Sequence, residues 1–246
     1  MSKNKTVIAV CIQEPFEDGS TLDLGMIHGD DLKFVHQAFI TDTIANAAKV
    51  DEVDIRLYHI DDKDRKKLVG IVTEYLTKKL TGKASEKMKK SFSIHELKQD
   101  RWGIRVERVF NDCFNAGYKH VIVIGSRTPT VSTSQILTSL KMLQKSDAVF
   151  GPTPEGRYYL IGMSGSYQIE LSNFDWKSPT IYSEVAQAFT EKGLKWSELE
   201  IWYVVECPED LELLARDINQ YRYEGDNETS IETELVLERI LSNLEH

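Results

Sequence analysis

The chain has 246 residues, of which 41% are hydrophobic and 28% charged, and its formal net charge is -9 at pH 7. This length is enough to bury a full core in one large domain, and the ordinary composition excludes disordered and fibrous classes. The negative charge argues against nucleic acid as the main partner, because neutralising phosphates requires a concentrated basic surface. No apolar run approaches the roughly 20 residues that span a bilayer, so we expect a cytoplasmic protein.

Strand and helix patterns alternate along the chain, which is typical of an α/β fold with a mainly parallel central sheet. Apolar runs predict strands at residues 6–12, 53–60, 121–125, 148–151, 158–163 and 201–206. Helical periodicity and capping signals predict helices at residues 31–49, 102–116, 134–144 and 179–192, a further one from Pro208, and a last one at 231–244. The pattern predicts one layered domain over residues 1–246, not two.

Two segments fall outside this alternation. Residues 61–98 are lysine-rich and predict a peripheral, partly helical insertion, in which residues 78–90 form a solvated helix flank or mobile loop. Residues 219–246 predict a polar loop and a C-terminal helix. The three cysteines, Cys11, Cys113 and Cys207, are widely spaced and lack ligand neighbours, so we expect buried free thiols.

Residues 120–137, HVIVIGSRTPTVSTSQIL, combine a buried strand, a tight polar loop and a helix that begins behind a Ser132/Thr133 cap. In open α/β sheets the carboxyl end of such a strand borders the ligand cleft. The loop carries Arg127, which cannot ligate a metal ion and would repel one. We expect the strand at the middle of the sheet and its loop at the cleft.

Several separated stretches together resemble one family. AGYKHVIVIGSRTPTVSTSQI is followed by DAVFGPTPEGRYYLIGM, then by FDWKSPTIYSEV and VVECPEDL, while RWGIRVERVF before them is a weaker match. In this order they resemble the GT-A-fold nucleotide-diphospho-sugar transferases, specifically the radical-SAM/selenodomain-associated group. The resemblance runs from about Arg101 to Leu211 and implies a GT-A-like three-layer sandwich.

The resemblance also implies glycosyl or nucleotidyl transfer from a nucleotide or nucleotide-sugar, with Mg²⁺ or Mn²⁺ at the leaving pyrophosphate. The family's loop motif Gly-Ser-Asp-Cys-Pro-Thr has its aspartate replaced by Arg127, which repels a cation. In the second motif, Glu155 is the one candidate for the family's carboxylate. It is followed by Gly156-Arg157, where the family has two glycines. The late aspartate is Glu206. Glu155 and Glu206 are therefore the candidate catalytic residues, and Glu206 is the candidate metal ligand.

The loop after the first strand is acidic where the family has basic residues, which is unfavourable beside a pyrophosphate unless a metal lies between them. Its charged and polar residues are Gln13, Glu14, Glu17 and Asp18. Bidentate contacts from Arg127, Arg157 and Arg105 would replace a metal at the phosphates. In the alternative, Arg127 and Arg157 pair with Glu155 or Glu206 across a cleft that has lost its chemistry.

Ser126 and Trp176 are further candidates for ligand contact, with Trp176 interpreted as a packing or substrate-stacking residue. Tyr158 and Tyr159 alternate along a predicted strand, so one faces the core and one lines the cleft. Three hypotheses follow. The first is a transferase with impaired metal-dependent catalysis, the second a non-catalytic binding or assembly module (a pseudoenzyme), and the third an α/β enzyme of unrelated ancestry such as a phosphate-ester hydrolase.

Overall fold

The structure is a computed structural model that describes residues 5–12, 22–60, 66, 69–70, 74, 82–165 and 169–244. Its strands are β1 (Thr6–Cys11), β2 (Asp54–His59), β3 (Phe92–Glu96), β4 (His120–Gly125), β5 (Ala148–Pro152), β6 (Tyr158–Ser164) and β7 (Trp196–Glu198). They form one 7-stranded sheet in the order β3-β2-β1-β4-β6-β5-β7, with β4 at the middle as predicted. Strand β6 is antiparallel to both neighbours, and the other pairs are parallel.

Helices cover both faces of this sheet. They are α1 (Gly29–Ala48), α2 (Gly82–Ser91), α3 (Trp102–Asn115), α4 (Thr133–Leu143), α5 (Ile181–Glu191), α6 (Pro208–Tyr223) and α7 (Ile231–Leu244), and a short 3₁₀ turn spans Leu171–Asn173. One face packs against α1 and α4, and the other against α3 and α5. The α/β three-layer architecture is therefore confirmed.

The inner strands show why continuous apolar runs were needed. In β4, Ile122 and Ile124 join the core under α1 and α4, while Val121 and Val123 join the core under α3 and α5. Successive side chains point to opposite faces, so a strand covered on both sides must be apolar at every position. The cap expected before α4 is also present, because Ser132 Oγ accepts from Gln135 N and Gln135 Oε1 accepts from Ser132 N.

The predicted strand at 201–206 is wrong: these residues are extended but belong to no strand, and β7 lies earlier, at Trp196–Glu198. Their backbone bonds go to strand ends rather than to a ladder. Trp202 N donates to Pro152 O at 3.0 Å, and Val205 N donates to Arg127 O at 2.9 Å. The segment therefore connects the end of β5 with the loop that follows β4.

Part of the predicted insertion at 61–98 continues the sheet, since β3 pairs with β2 as an edge strand after α2. Residues 61–65, 67–68, 71–73 and 75–81 lie outside the described residues. Cys11 and Cys113 are buried, as expected, but Cys207 is only half-buried because it forms the N-cap of α6. Among the described residues, no helix has the length and apolar character needed to cross a membrane.

Candidate functional site

A cavity of about 850 Å³ opens at the end of the sheet where strands β4 and β5 end and strand β6 begins. Helix α3 and residues 171–177 form its opposite wall. Five basic and three acidic side chains are among the described residues that line it. The basic ones are Arg101, Arg105, Arg127, Arg157 and Lys177, and the acidic ones are Asp100, Asp175 and Glu206. This size and position are typical of ligand sites in α/β proteins.

Arg127 is held in the loop that connects β4 to α4. Its side chain is only 3% exposed, and its Nη1 lies 3.9 Å from Glu206 Oε1. His36 of α1 is also buried, and burial followed by the positive charge of Arg127 lowers the pKa of His36 to about 3. The histidine is therefore neutral at pH 7, and the guanidinium of Arg127 faces Glu206.

Arg157 approaches the same carboxylate from the turn between β5 and β6. Its Nη2 lies 2.8 Å from Glu206 Oε2, and its side chain is 40% exposed. The turn closes through backbone bonds between Thr153 and both Gly156 and Arg157. Gly156 has a φ of 74°, and a Cβ there would lie 2.0 Å from Pro179 O. Only glycine fits this turn without displacing the chain that leads into α5.

Glu206 is fixed by the start of α6. The backbone N–H groups of Glu206 and Cys207 both donate to Asp210 Oδ2, at 2.7 and 3.0 Å, and Pro208 begins the helix. This arrangement presents the two oxygens of Glu206 to two guanidinium groups. The site therefore contains two guanidinium groups that share one carboxylate.

The opposite wall is aromatic. Trp176 Nε1 donates to Leu171 O at 2.8 Å, and a Cβ on Gly103 would lie 2.2 Å from that nitrogen, so only glycine admits the indole. Arg105 stacks over the ring of Trp102 at 4.9 Å. Tyr158 lines the cavity with its ring centroid 5.9 Å from that of Trp176, whereas Tyr159 is 2% exposed in the core. The predicted division between the two tyrosines is confirmed.

The structure brings Arg127, Arg157 and Glu206 together and places Arg105 and Trp176 on the same cavity. Two candidates need correction. Glu155 is exposed on the β5–β6 turn and is not among the lining residues, because the turn directs Arg157 inward instead. Ser126 is fully buried beneath the loop and does not line the cavity either.

The cavity residues that sequence reasoning missed include Arg101, Thr153 and Lys177. Arg101 and Lys177 lie within stretches that carry the family resemblance, and basic residues at those positions were the available signal. Thr153 had no such signal, since its contribution comes from the shape of a turn.

The described residues do not fit a metal ion at Glu206. They contain no group of three or more His, Cys, Asp and Glu side chains that could hold one. Mg²⁺ and Mn²⁺ require several hard oxygen ligands, but the nearest groups to Glu206 are the guanidiniums of Arg127 and Arg157. The acidic loop residues Gln13, Glu14, Glu17 and Asp18 lie outside the described part of the chain.

Three solved structures share this fold. A protein from Desulfovibrio desulfuricans G20, provisionally named a nucleotide-diphospho-sugar transferase, is 20% identical with a TM-score of 0.73 over 96% of this chain and 95% of its own. The 4-diphosphocytidyl-2C-methyl-D-erythritol synthase of Anaerococcus prevotii DSM 20548 is 13% identical with a TM-score of 0.54, covering 86% and 94%. A CMP:2-keto-3-deoxy-manno-octonic acid synthetase bound to CTP is 13% identical with a TM-score of 0.53, covering 88% and 99%.

These likenesses show that the chain has a GT-A-like α/β fold. No curated protein matches the sequence significantly. The model of one family, described as an uncharacterized protein conserved in bacteria (DUF2064), matches residues 43–178, which is more than half of the chain. The chain therefore belongs to the DUF2064 family.

Proposed function

We propose that this protein binds the phosphate groups of a nucleotide or nucleotide-diphospho-sugar in the cavity and transfers a glycosyl or nucleotidyl group from it. The observation that carries the proposal is the pair of guanidiniums, Arg127 and Arg157, that converge on Glu206. Guanidinium matches phosphate in a bidentate geometry, so a diphosphate is the ligand that fits two such groups best.

The solved structures with a similar fold support a nucleotide as the class of ligand. One of them was solved with CTP, and another is provisionally named a nucleotide-diphospho-sugar transferase. In this protein the cavity volume of about 850 Å³ is sufficient for a nucleotide-sized molecule. Arg105 is the third candidate for phosphate contact, and Trp176 is the candidate for packing against the rest of the ligand.

The proposed reaction uses the arginines where relatives of this class would use a metal. In glycosyl transfer, an acceptor oxygen bonds to the sugar carbon while the bond from that carbon to the diphosphate breaks. The leaving diphosphate keeps the electron pair, and fixed cations stabilise its growing charge. In nucleotidyl transfer, an acceptor oxygen attacks the α-phosphorus and pyrophosphate leaves, with the same stabilisation.

Glu206 has two successive roles in this proposal. Without ligand, it balances the charges of Arg127 and Arg157 and holds both guanidiniums at the cavity. When phosphates occupy the arginines, its oxygens are released to accept the proton of the attacking hydroxyl, which is general-base catalysis. Glu206 is the carboxylate we assign to this step.

A second candidate function is a non-catalytic module that binds the same ligand. The ion pair between Arg157 and Glu206 favours it, because a carboxylate that is already engaged is not available as a base. The two candidates separate on turnover: the module binds nucleotide but releases it unchanged.

The test is a thermal-shift screen of pyrophosphate, nucleoside diphosphates, nucleoside triphosphates and nucleotide-sugars, with and without Mn²⁺. We expect at least one nucleotide to raise the melting temperature without metal, and Arg157→Gln to abolish that shift. Arg216→Gln is the matched control, since Arg216 forms an ion pair of 2.9 Å with Asp217 outside the cavity. No shift with any ligand, or equal shifts in both variants, would overturn the proposal.

We further propose that the chain falls in the radical-SAM/selenodomain-associated group of transferases. The motif order from Arg101 to Leu211 supports this, and so does the packing of Trp176 against Gly103, two residues that match the group's motifs. We also propose that residues 1–246 form a single domain, with part of residues 61–98 as a peripheral addition.

A further inference from the structure

The loop that carries Arg127 is buried within the protein. Ser126, Thr128 and Thr130 are at most 1% exposed. Buried carbonyl groups require hydrogen-bond donors, and the donors set the position of the chain. The donors for this loop come mostly from residues that are distant in sequence.

The C-terminal part of the chain supplies two of these donors. Ser230 Oγ donates to Pro129 O at 2.8 Å, and Tyr221 OH donates to Thr130 O at 2.8 Å. A third comes from α1, where Asn46 Nδ2 donates to Pro129 O at 3.1 Å. Two carbonyls shortly after Arg127 are thus bonded to hydroxyl groups, one from the last turn of α6 and one from the segment between α6 and α7.

That segment is itself held firmly. Asp42, buried in α1, accepts from Glu232 N at 3.1 Å and from Thr233 N at 2.8 Å, and so caps the start of α7. Arg222 bonds Thr229 O at 3.0 Å and Glu234 Oε2 at 2.6 Å. These contacts retain Ser230 in a left-handed conformation, with a φ of 60°, that serine rarely adopts unless its surroundings impose it.

We propose that the end of α6, its connection to α7 and the start of α7, residues 221–233, position the Arg127 loop, with Tyr221 and Ser230 as the positioning residues. The expected effect on ligand binding rests on the proposed function. The position of Arg127 matters most if its guanidinium must contact an anionic ligand. Arg127 is too buried to adjust by itself, so its direction depends on the backbone that follows it.

The loop has no equivalent support from its own residues. Within it, Thr128 Oγ1 donates to Gly125 O and Val131 N donates to Thr128 O, which closes the turn but does not orient it against the sheet. Orientation comes from outside, through Val205 N on Arg127 O, Ser126 N on Cys11 O and Asn46 Nδ2 on Pro129 O, and through the two hydroxyls. Removing either hydroxyl should leave the fold intact and loosen the loop.

The experiment compares Ser230→Ala with Ser139→Ala. Both serines are 0% exposed and donate to a backbone carbonyl, at 2.8 and 2.6 Å, but Ser139 bonds Ile136 O within α4. We expect Ser230→Ala to speed amide exchange at Val205 about tenfold and to weaken pyrophosphate binding several-fold, with Ser139→Ala changing neither. Tyr221→Phe should reproduce the effect, and it remains informative if Ser230→Ala fails to fold.

Equal exchange rates at Val205 in the Ser230, Tyr221 and Ser139 variants would overturn the positioning role. Faster exchange with unchanged pyrophosphate affinity would overturn its link to the ligand. If the unmodified protein binds neither pyrophosphate nor any nucleotide, the proposed function fails, and the exchange rates alone decide whether the connection positions the loop.

Discussion

Two turns deliver an arginine to Glu206, and they are built in different ways. The β4–α4 loop presents Arg127 with 3% of its side chain exposed, and side chains from α1, α6 and the α6–α7 connection hold its backbone. The β5–β6 turn presents Arg157 with 40% exposed, and it closes largely through its own residues. Arg127 is thus held within the core, whereas the more exposed side chain of Arg157 can adjust its position.

This difference indicates that the two arginines have different roles in binding a ligand at the cavity. A buried arginine fixes a point in space to which a ligand must fit, whereas a half-exposed one can follow the ligand with little cost. The predictions below test this contrast, beginning with the substitution that should separate the two arginines most.

Replacing each arginine by methionine should show the contrast in stability. We expect Arg127→Met to lower the free energy of unfolding by about 3 kcal/mol, because it removes a buried guanidinium from a packed loop and leaves the groups around it without their partner. Arg157→Met should cost less than about 1 kcal/mol, as is usual for a partly exposed pair. Urea unfolding measures both. Equal losses would show that the burial of Arg127 has no energetic consequence.

The turn that carries Arg157 should depend on one glycine. We expect Gly156→Ala to cost about 2 kcal/mol more than Gly225→Ala, although both glycines have positive φ, 74° and 86°. The reason is that a Cβ at Gly156 meets Pro179 O, whereas no described atom lies within 4 Å of one at Gly225. Thermal unfolding of the two variants tests this, and similar melting temperatures would contradict it.

The buried loop should also respond to pH through two groups that support it. Burial raises the pKa of Asp42 to about 7, against hydrogen bonds from Thr233 and Glu232 that lower it, so the folded protein keeps a proton that the unfolded chain releases. The stability from Asp42 is therefore lost as pH rises from about 4 to 7, by up to about 1.4 kcal/mol per pH unit.

His36 has the opposite sign. Its pKa is lowered to about 3, so the unfolded chain takes up a proton below about pH 6.5 and the stability from His36 falls as pH falls. Asp42→Asn removes only the first effect. Its free energy of unfolding should rise more steeply between pH 4.5 and 6.5 than that of the unmodified protein, as urea titrations at three pH values would show. Parallel slopes would mean that Asp42 does not titrate there.

The smallest expected effect concerns metal. The unmodified protein should bind Mn²⁺ weakly or not at all at Glu206, and Arg127→Asp should raise the affinity, because it replaces a repelling charge with a hard oxygen ligand. The burial of Arg127 means that this variant also loses stability. Arg157→Asp makes the same exchange in the exposed turn and serves as the comparison. Calorimetry that finds no gain in either variant would place any metal site elsewhere.

The sequence was sufficient to predict structural elements that are determined by residues close together in the chain. The apolar run of β4 and the capping box at Ser132 and Gln135 were both predictable, since they depend on neighbours in the chain. The segment at 201–206 was not, because Trp202 and Val205 bond to Pro152 and Arg127, far away in sequence. Strand β3, with the residues FSIHE, was hidden by its mixed polarity, which is normal for an edge strand.

The same distinction applies to the site. Motif order identified Arg127, Arg157 and Glu206 as a group, and the structure brings them together. It did not exclude Glu155, because whether a turn residue faces inward depends on backbone angles that one sequence does not reveal. Nor did it indicate Tyr221 or Ser230, whose contacts with the loop span 91 and 101 residues.

The basic lining of the cavity has a kinetic consequence. The chain as a whole is negatively charged, so most of its surface repels an anion, whereas the cavity mouth attracts one. Field lines that converge on a recessed cationic region guide diffusing anions toward it and raise the encounter rate. This guidance weakens as ionic strength rises, because mobile ions screen charges beyond about 8 Å at 0.15 M salt. Association of an anionic ligand should therefore slow with added salt, while its dissociation, governed by short-range contacts inside the cavity, should change much less.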